Sequence, residues 1–220
     1  KDKRAFKNVI VRGIDSKHHI FCFLENNQVF NQTLNVFASD SFRLFSILTS
    51  EVHCVYFYSR ASTLGASAYP RYIQSNVFLP YPLPETNHPL DDKLSLLGDQ
   101  FSEKRKKACV KYSTGLTGIM NMVSNPNHIE ADINCIRSLL QEITNIVVLS
   151  YGWNDLDIEL DFHEVPYLPK NDLIRFTMSH ENRNEVLIRL ANINKNRREK
   201  VLEEELKGNK NNQNKNSRTK

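Results

Sequence analysis

Arg60, Ser62 and Thr63, followed by Arg71 and Tyr72, put guanidinium groups, hydroxyls and an aromatic ring within thirteen residues. Guanidinium forks and hydroxyls are the donors that meet phosphate oxygens and the acceptor edges of bases, so this set on a rigid support suits nucleic acid. The chain then runs through Val77-Phe78-Leu79-Pro80-Tyr81-Pro82-Leu83-Pro84. Each proline fixes its own φ and pushes the residue before it into extended conformation, which predicts a stiff strut leaving the segment. Residue chemistry by itself also fits a plain helix-to-strand loop closing on an apolar seam.

Other chemistry-bearing residues carry weaker patterns. Asp155, Asp157, Glu159 and Asp161 alternate, so an extended chain places them on one face, and Glu164 follows. A divalent-metal nuclease would also need a positioned base, and no Asp/Glu-x-Lys pattern stands nearby, so these acids are read as a solvated loop. Cys22, Cys54, Cys109 and Cys135 form no C-x-x-C pair, and the seven histidines show no H-E-x-x-H spacing. No metal site is expected, and scattered thiols of this kind suit buried residues of a cytosolic protein. The run Lys104-Arg105-Lys106-Lys107 is read as a solvated helix face.

These groups need elements to position them. Phe6 to Arg12, His19 to Leu24 and Thr33 to Ala38 read as short strands, separated by Gly13-Ile14-Asp15-Ser16 and Glu25-Asn26-Asn27 turns. A helix capped by Ser39 or Asp40 follows, with Phe42, Phe45, Leu48, Val52, Val55 and Tyr56 on one face. Spaced in this way, the aromatic stripe is core rather than a stacking platform. After Pro84 the sequence turns helical: Leu90, Leu94, Leu97, Phe101 and Ala108 share a face. Thr117 to Val123 forms a short helix stopped at Asn125-Pro126, and Ile129 to Val147 a longer one. Tyr151 to Pro169 reads as irregular and close-packed, Leu173 to Met178 as a strand, and Ser179 as the cap of a helix to about Leu206. The expected fold class is therefore α+β, a small mixed β/α region followed by a mainly helical C-terminal region.

The formal charge of +4 is unevenly placed. Residues 207–220 carry five Lys/Arg and no acid, so the remainder holds 24 basic against 25 acidic residues. Within it, residues 1–89 have a net +3 and residues 90–206 a net −4, making the first part the electrostatically suitable face for a polyanion. The Asn- and Lys-rich stretch 207–220 cannot bury a core and is predicted to be a disordered basic tail. No apolar run approaches the roughly twenty residues that span a bilayer, so a cytoplasmic protein without membrane contact is expected. The chain starts at Lys1 in mid-pattern and is read as a C-terminal piece of something longer.

The segment Arg60-Ala61-Ser62-Thr63-Leu64, Arg71-Tyr72, Ser75, Val77-Phe78, Pro82 and Pro84 resembles the end of the target-recognition region of large adenine-specific DNA methyltransferases. These are the enzymes of restriction and phage-exclusion systems, the MmeI-like single-chain type II and PglX-like families. The resemblance is colinear over roughly residues 5–200. It takes in Val11-Arg12, Lys17-His18-His19 and Gln28-Val29-Phe30 upstream. Downstream it takes in Arg137, Tyr151-Gly152-Trp153, Asp155-Leu156-Asp157, Phe162-His163-Glu164, Arg175-Phe176-Thr177-Met178-Ser179 and Glu185-Val186-Leu187. It departs at Ile73-Gln74, at Asn76, at Leu79-Pro80, and at Leu140 and Thr144, where the family has His and Asp.

The resemblance implies that residues 1–89 read duplex DNA, with Arg12, Lys17, His18, Arg60, Ser62, Thr63, Arg71 and Tyr72 as candidate contacts, and that residues 90–206 support them. It implies methyl transfer from S-adenosylmethionine to adenine by the parent protein, through an N-terminal part of the same chain. Asn125-Pro126-Asn127-His128 lacks the second proline and the aromatic of the amine-binding tetrapeptide, and no cofactor loop is present. The 220-residue chain is therefore expected to bind no cofactor and to be inactive alone. Two alternatives stand beside this: the same module in a fused restriction endonuclease-methyltransferase, and a non-enzymatic helical interaction domain with a basic tail.

Overall fold

A computed structural model describes residues 6–62, 69–169 and 172–216, with side chains through residue 205. It opens with a three-stranded antiparallel sheet of β1 (Asn8–Gly13), β2 (Cys22–Glu25) and β3 (Leu34–Phe37), in the order β2-β1-β3. Register pairs Val11 with Cys22 on one side and Ile10 with Phe37 on the other. The central strand is covered on both faces, which is why Val9, Ile10, Val11 and Arg12 are all buried and the strand reads as a continuous run. β2 begins three residues later than the sequence pattern predicts, and Lys17-His18-His19 instead form the β1–β2 loop.

The single helix expected after β3 is two: α1 (Phe42–Thr49) and α2 (Glu51–Arg60), joined at an extended Ser50 (ψ 153°). Ser41, rather than Ser39 or Asp40, caps α1 by accepting from Leu44 N at 3.2 Å. Ser50 does the same for α2, and Glu51 sits favourably in its first turn. A polar Ser-Glu pair inside an apolar periodicity is a start signal, and here it breaks the helix. The stripe behaves as core: Phe45, Leu48, Val52, Val55 and Tyr56 are buried.

α3 (Asp91–Lys111) lies across α1 and α5 (Ala131–Ser150), with the short α4 (Leu116–Val123) between α3 and α5. Lys104, Lys106 and Lys107 are exposed, but Arg105 points inward. Its guanidinium covers the Phe101 ring at 4.4 Å and donates to the Phe21 carbonyl at 2.6 Å, which corrects the reading of that run as uniformly solvated. Gly98 permits the α1–α3 contact: a Cβ there would stand 2.7 Å from the Phe42 carbonyl oxygen and collide with the Ser46 hydroxyl. Gly98→Val is expected to cost about 1–3 kcal/mol by overpacking, read as a lower urea midpoint at unchanged slope.

Arg137 on α5 uses all five donors, four on the end of α4 and the loop after it and one on Asn134 of its own helix. It reaches Val123 O (2.9 Å), Met122 O (2.9 Å), Asn125 O (2.8 Å), His128 O (2.6 Å) and Asn134 Oδ1 (2.7 Å). Carbonyls left open at a helix end are thereby satisfied.

Tyr151-Gly152-Trp153 turns the chain, with Gly152 at φ 76°. The two rings stack at 4.6 Å. The stretch predicted as irregular throughout contains β4 (Leu160–Glu164), which pairs antiparallel with β5 (Ile174–Met178).

α6 (His180–Asn216) packs on α2 through Val186 and Leu190. Its backbone continues to Asn216, past the predicted end at Leu206 and through residues 207–216 of the stretch read as disordered. No proline interrupts it, and extending a formed helix across one Gly208 costs only about 1 kcal/mol. One hydrophobic core runs from Ile10 to Leu190 and crosses residue 89 without interruption. No helix among the described residues is long and apolar enough to cross a membrane.

Candidate nucleic-acid interface

Beneath the candidate surface lies a buried polar chain. Arg12 on β1 donates to His19 Nδ1 (2.9 Å), so His19 carries its proton on Nε2 and donates it to the Leu48 carbonyl (2.7 Å). His53 on α2 donates from Nδ1 to the same carbonyl (2.9 Å), leaving Nε2 to accept from the Tyr72 hydroxyl (3.1 Å). Both imidazoles are thus neutral. Burial pushes His53 down to about 3, and burial with the nearby Arg12 charge holds His19 well below its ordinary value.

The Arg12 guanidinium, 2% exposed, lies 4.4 Å from the Tyr72 ring centroid, 4.5 Å from Phe57 and 5.3 Å from Phe21. Three aromatic faces solvate the cation in place of water. Asn35 donates to the Tyr72 carbonyl (2.9 Å), tying β3 to the same point.

The exposed rim is built on this support. Arg71 N donates to Ser62 O (2.8 Å) and Tyr72 N to Ile14 O (2.9 Å), which joins the end of α2, the Arg71 segment and the β1–β2 loop. Arg71 Nε pairs with Asp15 Oδ1 at 3.0 Å. Lys17, on the same loop, reaches Asp172 Oδ1 at 3.2 Å. Asp172 also accepts from Arg175 Nη2 (2.6 Å) and from the Tyr69 hydroxyl (3.2 Å), so the β4–β5 hairpin holds two rim segments in place. Arg60 and Ser62 are exposed at the C-terminal end of α2, and Arg60 stands 5.5 Å from the Tyr56 ring.

Residues 74–80, expected as the start of an extended strut, form a helical turn instead, with Val77 N bonded to Ile73 O and Phe78 N to Gln74 O, and the chain from Pro80 onward is pinned from three helices. Pro80 O accepts from the Tyr56 hydroxyl (3.1 Å) and from Asn194 (3.0 Å), Leu83 O from Arg197 (2.8 Å), and Glu85 O from Arg43 (2.6 Å).

The eight candidates therefore divide. Lys17, Arg60, Ser62 and Arg71 lie on one solvent-facing rim. Arg12, His18 and Tyr72 are buried beneath it, with His18 donating to Asn121 Oδ1 (2.8 Å). Their donors are turned to protein, so they position the rim instead of touching a ligand. Thr63 lies outside the described residues.

Sequence reading missed Asp15, His53 and Asp172. Only the Asp15-Ser16 turn signal could have drawn notice to one of them, because their partners are distant in the chain. Of the acids between 155 and 164, Asp155 pairs with Arg189 (2.6 Å), and no cluster of three or more metal-ligating side chains occurs among the described residues.

Glu51, at the start of α2, is enclosed where α2, α5 and β5 meet. Thr177 donates to its carboxyl at 2.5 Å, its backbone N–H meets Thr144 Oγ1 at 3.2 Å, and burial pushes the carboxyl up to about 7. A cavity of about 30 Å³ beside it, lined by His18, Cys54, Tyr58 and Tyr167, has the volume of a single water.

No family model matches the chain, and no curated protein matches its sequence. Among solved structures it is similar to MmeI, a type IIL restriction-modification enzyme whose structure was determined in complex with DNA. The TM-score is 0.55 at 15% identity, over 67% of this chain and 19% of that one. The chain thus spans about a fifth of the length of that enzyme. At 15% identity the two share a backbone arrangement and little side-chain detail. That likeness agrees, at the level of fold alone, with the family resemblance in the sequence. The α+β fold of this chain is one found in a restriction-modification enzyme.

Proposed function

We propose that the chain selects a sequence in duplex DNA on behalf of an adenine-specific, S-adenosylmethionine-dependent methyltransferase of a restriction-modification or phage-defence system. The observation that carries this reading is the rim of Lys17, Arg60, Ser62 and Arg71, held rigidly over the buried Arg12–His19–His53–Tyr72 chain. Rigid presentation is what base reading requires, since a misplaced donor loses its pairing. The likeness in fold to an enzyme solved with DNA supports it. On this reading residues 1–89 read the DNA and residues 90–206 brace them.

The chemistry belongs to another part of a longer protein. The loops that lead from strand to helix, 38–41 and Ser179, contain no glycine, which is in keeping with a cofactor held elsewhere. Calorimetry of the chain with S-adenosylmethionine is expected to show no binding, and stoichiometric binding would overturn this division of labour.

Arg71→Ala separates two modes of contact. If the guanidinium reads guanine, the variant loses about 1–3 kcal/mol on the preferred duplex and little on random DNA. If it meets phosphate, the loss is equal on both and the salt slope falls by about one. Unchanged binding to both duplexes would sink the reading.

A second reading, a helical interaction domain without DNA selectivity, draws on α6, whose residues 195–205 are exposed throughout and cover no part of the core.

A further inference from the structure

α6 leaves the body at Arg197. Among the described residues its last hydrogen bonds to the rest of the fold run from Asn194 to the Pro80 carbonyl (3.0 Å) and from Arg197 to the Leu83 carbonyl (2.8 Å), and every residue from 195 to 205 is exposed. Val201 and Leu202 stand in that span with 53% and 48% of their surface in water. Two adjacent large apolar side chains on an unsupported helix gain from being covered.

The charges around them are ordered end for end. Lys195, Arg197, Arg198 and Lys200, with Glu199 among them, precede Val201-Leu202, and Glu203, Glu204 and Glu205 follow it. Arg198, Val201, Leu202 and Glu205 fall at i, i+3, i+4 and i+7, which is one face of a helix. At 1.5 Å per residue Arg198 and Glu205 are roughly 10 Å apart along the axis, too far to pair within one helix. They lie instead at equal distances on either side of the point between Val201 and Leu202.

From this order we propose that α6 binds α6 of a second copy of the chain, antiparallel, with a two-fold axis between Val201 and Leu202. The contact is isologous: Arg198 of each copy meets Glu205 of the other, and Val201 packs on Leu202 at the centre. A parallel pairing in register would set arginine on arginine and glutamate on glutamate, which opposes binding. A polyanion would be repelled by the three glutamates and a basic partner by the arginines, whereas a second copy satisfies both halves of the face. The antiparallel arrangement also sends the two bodies to opposite ends of the paired segment, so neither covers the seam. With two apolar side chains per copy the interface is small, and the expected Kd is on the order of tens of micromolar, weakening with salt. The pairing holds whichever function the rim serves.

Sedimentation equilibrium of the 220-residue chain without DNA tests this. A reversible monomer–dimer equilibrium is expected, and a chain still monomeric at concentrations about tenfold above that Kd overturns the pairing and leaves the face to another partner. Arg198→Glu and Glu205→Arg each exchange one good helix former for another at an exposed position. Each sets like charges together at two symmetric places and is expected to weaken dimerisation about tenfold or more. The double variant Arg198→Glu/Glu205→Arg regenerates both ion pairs between identical chains, and an equimolar mixture of the two single variants regenerates them between unlike chains. Both are expected to recover the affinity of the unsubstituted chain, with far-UV circular dichroism the same throughout. Single variants that dimerise as tightly as the unsubstituted chain overturn the proposal, and so does failure of either the double variant or the mixture to recover.

Discussion

Acidification from pH 7 to pH 5 is expected to lower the unfolding free energy by about 4 kcal/mol, well before the exposed carboxylates titrate. His18 and His53 are pushed down to about 4 and about 3, chiefly by burial, and His19 lies well below its ordinary value for the same reason. In this window the unfolded chain takes up protons on these three rings and the folded chain does not, so stability falls with pH, by about 2 kcal/mol per histidine at pH 5.

Glu51 acts in the opposite sense. Its carboxyl, pushed up to about 7 by burial, is increasingly protonated in the folded state as pH falls, which returns about 2 kcal/mol over the same interval. Urea denaturation at the two pH values measures the net effect, and His53→Gln should flatten the profile by about 2 kcal/mol. A profile level between pH 7 and pH 5 would mean that the Arg12–His19–His53–Tyr72 chain is not closed as described.

Arg12→Ala is expected to destabilise the fold by about 3–5 kcal/mol, whereas Arg12→Met should cost much less. Alanine empties the space between Phe21, Phe57 and Tyr72 and strands the buried Nδ1 acceptor of His19. Methionine refills that space; it leaves His19 Nδ1 unpaired as alanine does, so the difference between the two variants measures the cavity. Chemical denaturation of both variants gives the comparison. Folded Arg12→Met should bind duplex DNA with the affinity and salt slope of the unsubstituted chain. A drop in salt slope would place Arg12 on the DNA after all.

Elements governed by local periodicity were legible in the sequence. β1, β3, α3, α4, α5 and β5 follow from alternation, helical spacing and the Asn125-Pro126 stop. The break at Ser50 was obscured because Leu48, Val52 and Val55 keep a continuous apolar period across it. β4 was obscured by its acids: Asp161 and Glu164 face solvent while Leu160 faces the core, so the segment resembles a loop until its partner strand is known.

At the site, the sequence identified the right segments but could not sort their side chains. Arg12, His18 and Tyr72 have the chemistry of ligand contacts. Their burial depends on Phe57, Asn121 and His53, which come from distant parts of the chain. For the same reason Asp15 and Asp172 acquire their roles only when Arg71 and Lys17 are brought to them.

The most direct measurement is amide hydrogen exchange of the 220-residue chain with and without duplex DNA. The expected result is added protection in residues 14–19, 60–62 and 69–72, with α6 beyond residue 195 unchanged at physiological salt. Protection confined to that part of α6, with the rim unaffected, would contradict DNA reading by the rim and would favour a helical interaction domain whose affinity lies in its charged end.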